Sequence, residues 1–464
     1  MDDAQQAHAA SIWRAPLGRL TIGLTLTVAA TAFEALAVAT ILPITLDELG
    51  DLVFYGWTFS AFLLANLVGI SIGGSESERL GLVRLFAAGV LLFSGGLVVS
   101  GCAPAMSVIV GGRVLQGFGA GLLSTVAYAA IAQAYAASLQ PRMLATLSSA
   151  WVVPGLVGPG LASLIAEHAS WRWVFWGLVP LPLLAATLVL PALRSLPRTA
   201  AKEKSSGSIA LAVQLGLGAS AALSGLGMHS WPAALALVVL GGAAAVHALT
   251  RLLPRGTLLA RAGLPAAVAS MALINFAFFG AEAFLPLALS RVRQAPVVLS
   301  GLALTAAALT WTAGAWLPVR VADRISRRKI ILGGLAILAV GLLATLSLLT
   351  PEVPAACAVV AWGITGLGMG LAFTTTSAAI LETAGPSEAG LASASLQLAQ
   401  VLGAAIATGA GGAVVAAPFA GDPPALGIAI VDIAMLLAIG LAMLSARGIP
   451  NQGPYLATEN TAVL

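Results

Sequence analysis

The sequence predicts an all-α polytopic membrane protein, two six-helix bundles flanking two extra central helices, 14 spans in all with both termini cytoplasmic. Three observations predict it. Of 464 residues, 59% are hydrophobic and 9% charged, with a mean hydropathy of +0.99, whereas soluble domains are roughly 25% charged. So few charges cannot cover a water-soluble particle, but a bilayer asks for no polar belt. Apolar runs of spanning length recur, and at about 20 residues each fourteen of them use about 280 residues, close to the apolar content available. Finally, the 22 Lys and Arg fall almost entirely in alternate loops.

The elements follow in order. Six apolar runs come first, at about 20–43, 52–72, 83–102, 105–134, 143–166 and 173–193. They are separated on one side by loops carrying Arg79, Arg84 and Arg142, and they end at Arg194. The polar stretch RSLPRTAAKEKSSGS then breaks the pattern. A tight pair follows at 209–228 and 231–248, joined by a short turn containing His229. Six more runs lie at about 265–290, 299–319, 330–349, 355–381, 388–415 and 425–444. The chain therefore divides into an N-terminal bundle (1–195), linkers with two inserted helices (196–264), a C-terminal bundle (265–446) and a cytoplasmic tail (447–464).

Lys and Arg are held on the cytoplasmic side of a membrane. With both ends inside, 18 of the 22 face the cytoplasm; Arg172, Arg291 and Arg293 lie outside, and Arg113 stays within a span. The net charge of +4 is thus read as topology, since 22 basic residues in 464 make no dense face for nucleic acid. Cys102 and Cys357 sit in or beside apolar runs and are expected to pack rather than to form a disulfide framework. The residues ahead of the first long run lack the pattern of a signal peptide, so that helix is expected to be retained. No Asn-x-Ser/Thr site occurs and 19 of the 22 basic residues are Arg, which fits a bacterial cytoplasmic membrane.

An internal repeat relates the two blocks of six. Glu78-Arg79 recurs 245 positions later as Asp323-Arg324, and Pro141 recurs at the same interval as Pro386. Gly117, Gly119 and Gly121 recur 249 positions on as Gly366, Gly368 and Gly370, and Glu34 recurs 248 positions on as Glu282. Each half then has the same sense in the membrane, and the middle pair is an insertion.

These features are similar to the major facilitator superfamily, and within it to the fourteen-helix drug:proton antiporter branch, from about Arg19 to Arg447. The family's loop motif G-x-x-x-D-R-x-G-R-R reads here Gly74-Ser-Glu-Ser-Glu78-Arg79-Leu-Gly81-Leu-Val-Arg84 and Val319-Arg-Val-Ala-Asp323-Arg324-Ile-Ser326-Arg327-Arg328. The first copy has Glu for Asp and lacks the Arg pair; the second lacks both glycines. Arg113-Val-Leu-Gln116-Gly117-x-Gly119-x-Gly121 resembles R-x-x-Q-G-x-G-x-G. Gly155-Leu-Val-Gly158-Pro159 resembles the antiporter signature, with Ala162 and Ser163 where glycines are usual, and Trp171-Arg172-Trp173-Val-Phe175 resembles W-R-W-x-F. Phe33-Glu34-x8-Pro43 keeps an acid and a proline of the branch's first helix but loses its Thr and Asn.

Glu34 and Glu282 fall near mid-membrane, where an ionised carboxylate is costly unless a cation or water compensates. Such a group can carry a proton, and a carboxyl that only packs against a neighbouring helix is the competing reading. Arg113 needs an anion or carbonyl partner; the resemblance implies that it lines the cavity near Glu34. Asp432 is grouped with Glu34, Glu282 and Arg113 as a proton-coupling candidate in the cavity, with interfacial packing as the competing reading. Asn275, Phe279 and Trp311 are candidates for the cavity wall together with Glu34, Arg113 and Glu282. The loop copies, Gly74, Glu78, Arg79, Gly81 and Arg84 with Asp323, Arg324, Arg327 and Arg328, are expected to latch one conformer across the halves. Gly155, Gly158 and Pro159 form the antiporter helix, where prolines permit bending.

No metal-ligand cluster, Walker loop or nucleophile elbow is visible, so enzyme chemistry and primary pumping are disfavoured. No cofactor is expected and the proton gradient is the energy source. The expected partners are a small-molecule substrate, protons and the bilayer, with no nucleic acid and a functional monomer. The resemblance implies proton-coupled antiport exporting hydrophobic or cationic drug-like compounds. The alternatives are a dedicated exporter of one metabolite, lipid or siderophore, and a non-transporting receptor or assembly protein.

Overall fold

The computed structural model describes residues 12–13, 17–136, 138–196, 206–228, 230–321, 325–383, 389–421 and 423–450. Among them 14 helices are long and apolar enough to cross a membrane, and no strand occurs. The first six are α1 (Leu17–Leu49), α2 (Leu52–Ser77), α3 (Leu82–Gly101), α4 (Met106–Ala134), α5 (Arg142–His168) and α6 (Trp171–Arg194). The inserted pair is α7 (Ile209–Leu226) and α8 (Trp231–Leu252). The last six are α9 (Leu264–Val292), α10 (Val297–Pro318), α11 (Arg327–Ser347), α12 (Cys357–Thr383), α13 (Gly390–Val415) and α14 (Ala425–Ala446). The loops that carry most of the Lys and Arg share one end of the molecule, called here the basic face; the other end is the opposite face.

Prolines explain where the helices depart from single rods. Proline lacks the amide N–H and its ring crowds the carbonyl four residues back. α5 breaks at Ala150 and Trp151, just ahead of Pro154, and α6 breaks at Val179 ahead of Pro180 and Pro182. α9 passes Pro286 and closes in a π turn over Ala288–Val292. Pro43 does not end α1, which continues to Leu49, six residues past the expected boundary. The two cysteines also differ from expectation: Cys102 and Cys357 are exposed free thiols at helix ends on the opposite face.

The glycine repeat acquires a physical cause. A Cβ on Gly117 would lie 2.8 Å from Phe62 Cα of α2, one on Gly119 2.6 Å from Phe93 N of α3, and one on Gly121 2.7 Å from Ile70 N of α2. In the other half, a Cβ on Gly366 would lie 2.7 Å from Ala307 Cα, one on Gly368 2.8 Å from Leu338 Cα, and one on Gly370 2.9 Å from Ala315 N. The partners Phe62, Phe93 and Ile70 recur as Ala307, Leu338 and Ala315, each 245 positions later, the interval of the loop motif. Alternate glycines therefore let α4 touch α2 and α3, and let α12 touch α10 and α11, backbone to backbone.

The inserted helices sit on the flank of the seam between the halves. Leu215, Ala219 and Leu223 of α7 pack with Leu64 and Leu67 of α2 and with Leu402 and Ala405 of α13. α8 lies outside α7 through facing glycines, Gly218 and Gly241. It presents Trp231 and Leu240, 75% and 70% exposed, outward, as suits a lipid-facing helix.

Candidate functional site

Glu34 lies at the middle of α1, 17 residues from Leu17 and 15 from Leu49, about 25 Å from the basic end at 1.5 Å per residue. It is fully buried and forms an ion pair with Arg113, itself 3% exposed, on α4. The guanidinium has further partners. Its Nε donates to Thr58 O at 2.9 Å, and Nη1 donates to Gln116 Oε1 at 2.6 Å. Gln116 Nε2 in turn donates to Ser100 Oγ at 3.1 Å. The Phe62 ring lies 4.2 Å from Arg113 Cζ, in cation–π range, and the Cβ-free Gly117 is what lets Phe62 approach. The arrangement supplies Arg113 with a counter-charge and acceptors, whereas the Glu34 oxygens, buried in a dry interior, have no hydrogen-bond donor among the described residues besides that ion pair.

The equivalent place in the other half is built differently. Glu282 on α9 makes no hydrogen bond or ion pair among the described residues. The 249-residue interval that relates the glycines puts Trp362 where the first half has Arg113. Trp362 is fully buried, its Nε1–H has no partner among the described residues, and its ring stacks on Phe278 at 5.3 Å and 25°. Phe279 and Trp311 join this aromatic group, with Phe278–Trp311 at 5.2 Å, Phe279–Trp311 at 6.2 Å and Trp311–Phe373 at 5.4 Å. Pro286, four residues past Glu282, also leaves the Glu282 carbonyl without its helical donor. The first half thus holds a neutralised charge pair where the second holds a buried tryptophan, and the Glu282 side chain has no ion pair among the described residues.

Other candidates fall elsewhere than expected. Asn275 is 1% exposed and turns back to Met271 O at 2.9 Å, so it does not face an open cavity. Asp432 is buried at the periphery between α14, α9 and α11 rather than at the centre. Three arginines of the loop motif have partners within their own half. Arg79 pairs with Glu76 of its own helix at 3.4 Å, Arg327 with Glu382 of α12 at 2.6 Å, and Arg328 donates to Ile449 O at 2.7 Å. Arg84 is exposed, and nothing lies within 4 Å of a Cβ on Gly74. Gly81 does serve locally: its φ of 78° closes α2, with its N–H on Ser77 O. Asp323, Arg324 and the Glu78 side chain lie outside the described residues.

The antiporter helix stands at the seam. Gly158 takes Phe33 of α1 at 3.7 Å from its Cβ position, Gly155 takes Ala308 of α10 at 3.0 Å, and Gly301 of α10 receives the Pro159 carbonyl at 3.0 Å. Toward the opposite face the halves touch closely. Tyr55 packs on Phe284 at 5.9 Å, and a Cβ on Gly56 would lie 2.6 Å from Gly412 Cα. Toward the basic face α5 and α10 expose Val153 (67%) and Trp316 (65%).

An ion pair that crosses the halves among the described residues was not picked out from the sequence. Asp47, at the end of α1, meets Arg291, at the end of α9, at 2.5 Å, while its neighbour Glu48 meets Arg172 at 2.5 Å and accepts from Trp171 Nε1 at 2.6 Å. The available signal was that Arg172 and Arg291 are two of only three basic residues on that face, opposite an Asp-Glu pair. Because Asp47 is 56% exposed, the pair contributes ~0–1 kcal/mol. Asp47→Asn is therefore expected to raise the population opened at this face by no more than about fivefold, read as spin-label distances across the seam.

The chain matches the sequence model of the Major Facilitator Superfamily over residues 23–408 and 317–455. It is 27% identical over 387 residues to an uncharacterized MFS-type transporter of Mycobacterium tuberculosis, covering 80% of this chain and 56% of that protein. The chain thus spans about half the length of that relative. It is 27% identical over 374 residues to a multidrug resistance protein B homolog of the same organism, covering 76% of this chain and 67% of that one. A multidrug efflux pump of Staphylococcus aureus is 28% identical over 169 residues, 36% of this chain and 38% of the pump. Among solved structures, a POT peptide transporter in complex with sulfate superposes with a TM-score of 0.69 at 16% identity, over 97% of this chain and 99% of the other. A D-xylose-proton symporter gives 0.65 at 15%, over 93% and 98%. At these identities the structural likeness speaks for the fold alone.

Proposed function

Because this chain belongs to the major facilitator superfamily, whose proteins are membrane transporters, we propose that it is a proton-coupled antiporter exporting hydrophobic or cationic compounds. The observation that carries the reading is the buried Glu34–Arg113 pair at the centre of α1 and α4. The carboxyl there faces one guanidinium; a proton on Glu34 cancels the attraction and leaves Arg113 to its carbonyl and amide partners, and its release restores the pair. The pair is thereby a two-state element that a proton biases, and only such a differential interaction can shift a conformational equilibrium. The six-helix units rock about the seam at α2–α13 and α5–α10. We place the basic face in the cytoplasm of a bacterial cell, following the charge bias of the loops.

Glu282, unpaired beside Phe278 and Phe279, suits a substrate that brings its own positive charge and apolar surface. The names of the relatives as multidrug efflux and resistance proteins support the same reading. The test uses proteoliposomes with the membrane potential clamped to zero and tetraphenylphosphonium as probe. Vesicles acidic inside are expected to accumulate the cation and to lose it when the pH gradient is collapsed. Accumulation that ignores the pH gradient would contradict the proposal. Glu282→Gln is expected to weaken binding of the cation about tenfold, the ~1–2 kcal/mol of one desolvated charge contact, with a neutral apolar compound bound unchanged.

A further inference from the structure

Asp432 is 3% exposed on α14, seven residues past Ala425, about 10 Å from the helix start at the opposite face. It accepts no hydrogen bond and joins no ion pair among the described residues. It lines a small cavity between α9, α11 and α14 whose wall also includes Ala281, Leu285, Thr345, Leu348 and Arg293. The cavity offers ≈ 10 Å³ to the centre of a water molecule, room for about one water. Its polar partners are few. Arg293 is engaged by the end of α11 and the loop beyond it, donating to Leu348 O at 3.0 Å, Pro351 O at 3.2 Å, Val353 O at 2.6 Å and Thr350 O. Thr345 donates to Gly341 O at 2.9 Å, leaving only its lone pairs toward the cavity.

A carboxyl in this setting needs a ligand. An unpaired charge in the membrane interior is expensive, and such residues pair, meet water or bind protons. Hard metal ions want about six or more oxygens, and the side chains of this wall bring only the carboxyl and one hydroxyl. A proton, delivered through one water, is the ligand that fits. The scaffold does not require the acid, since the matching stretch of the first half, residues 183–187, holds no charged side chain. The charged groups around it are few. Arg293 is on the wall, and Glu352 lies in the loop that holds Arg293. Arg291 at the end of α9 is paired with Asp47, Glu282 of α9 is not on the wall, and Arg327, Arg328 and Lys329 are at the far end of α11. α13 and the turn Pro418–Ala420 bring none among the described residues.

We propose that Asp432 and this cavity form a second proton-binding site, reached from the opposite face and separate from the central carboxyls. α14 packs on α9 through Met435 against Gly280, so the proton acts on the helix that carries Glu282.

The test is an infrared pH titration of the full-length protein in lipid, following the protonated-carboxyl band. The band is expected to lose one component in Asp432→Asn and to shift it in Asp432→Glu, while that component persists in the Glu34→Gln/Glu282→Gln double substitution. Ala281→Val fills the cavity but keeps the acid; its component is expected to exchange with deuterium about tenfold more slowly, because exchange then waits for local opening. A band unchanged in both Asp432 variants, a component lost in the double substitution, or exchange in Ala281→Val at the original rate would overturn the proposal.

Discussion

Glu34→Gln is expected to abolish transport driven by a pH gradient and, separately, to destabilise the folded protein by ~3–5 kcal/mol, because Arg113 is left buried without its counter-charge. The two effects have different origins and part company in a second variant. Arg113 is 3% exposed, so its unpaired charge carries the stability loss; the missing titratable group carries the loss of transport. Combining Glu34→Gln with Arg113→Gln removes both charges. It is expected to recover most of the thermal stability, as neutral replacements of buried pairs do, and none of the transport. Thermal unfolding in detergent and uptake into vesicles measure the two independently. Recovery of transport with stability would mean that the pair is a structural tie.

Gly56→Val is expected to produce the second large effect, through the seam. With a Cβ position 2.6 Å from Gly412 Cα, any side chain at residue 56 forces α2 and α13 apart where the halves close. Overpacking costs ~1–3 kcal/mol, and a bias of that size moves an equilibrium between two states by roughly five- to 150-fold. Spin-label distances across the opposite face are expected to lengthen, with turnover falling in proportion. Gly440→Val serves as the control, since nothing lies within 4 Å of a Cβ there. Unchanged distances in Gly56→Val would show that the seam does not gate.

The fold was legible because membrane helices announce themselves. Apolar runs and Lys/Arg placement gave fourteen spans, and the glycine repeat gave the relation between halves before its partners were known. The boundaries were less legible where proline acts inside a helix: Pro43 is passed over, whereas Pro154 breaks α5. Of the site, the juxtaposition of Glu34 and Arg113 is what the resemblance implied. The contrast between the halves was not legible, because it depends on Trp362 occupying the register of Arg113, and a buried tryptophan looks like packing until its partners are placed. The core of the expected latch, Asp323, Arg324 and the Glu78 side chain, lies outside the described residues. Among the described residues Arg79, Arg327 and Arg328 find partners within their own half, and a cross-half pair, Asp47–Arg291, lies at the other face. Short acidic and basic residues at span ends carry no spacing signal, since their pairing is decided by which helices meet in space.

The proposed antiport requires that a proton at the Glu34–Arg113 pair and a cation at Glu282 exclude one another. Its most direct test is proton release from the purified protein in weakly buffered solution on addition of tetraphenylphosphonium. Linkage between the two ligands requires about one proton to leave per cation bound when Glu34 is protonated in the free protein, and none to leave in Glu34→Gln. Release of the same size from Glu34→Gln, or binding without release in the unsubstituted protein, would contradict the account.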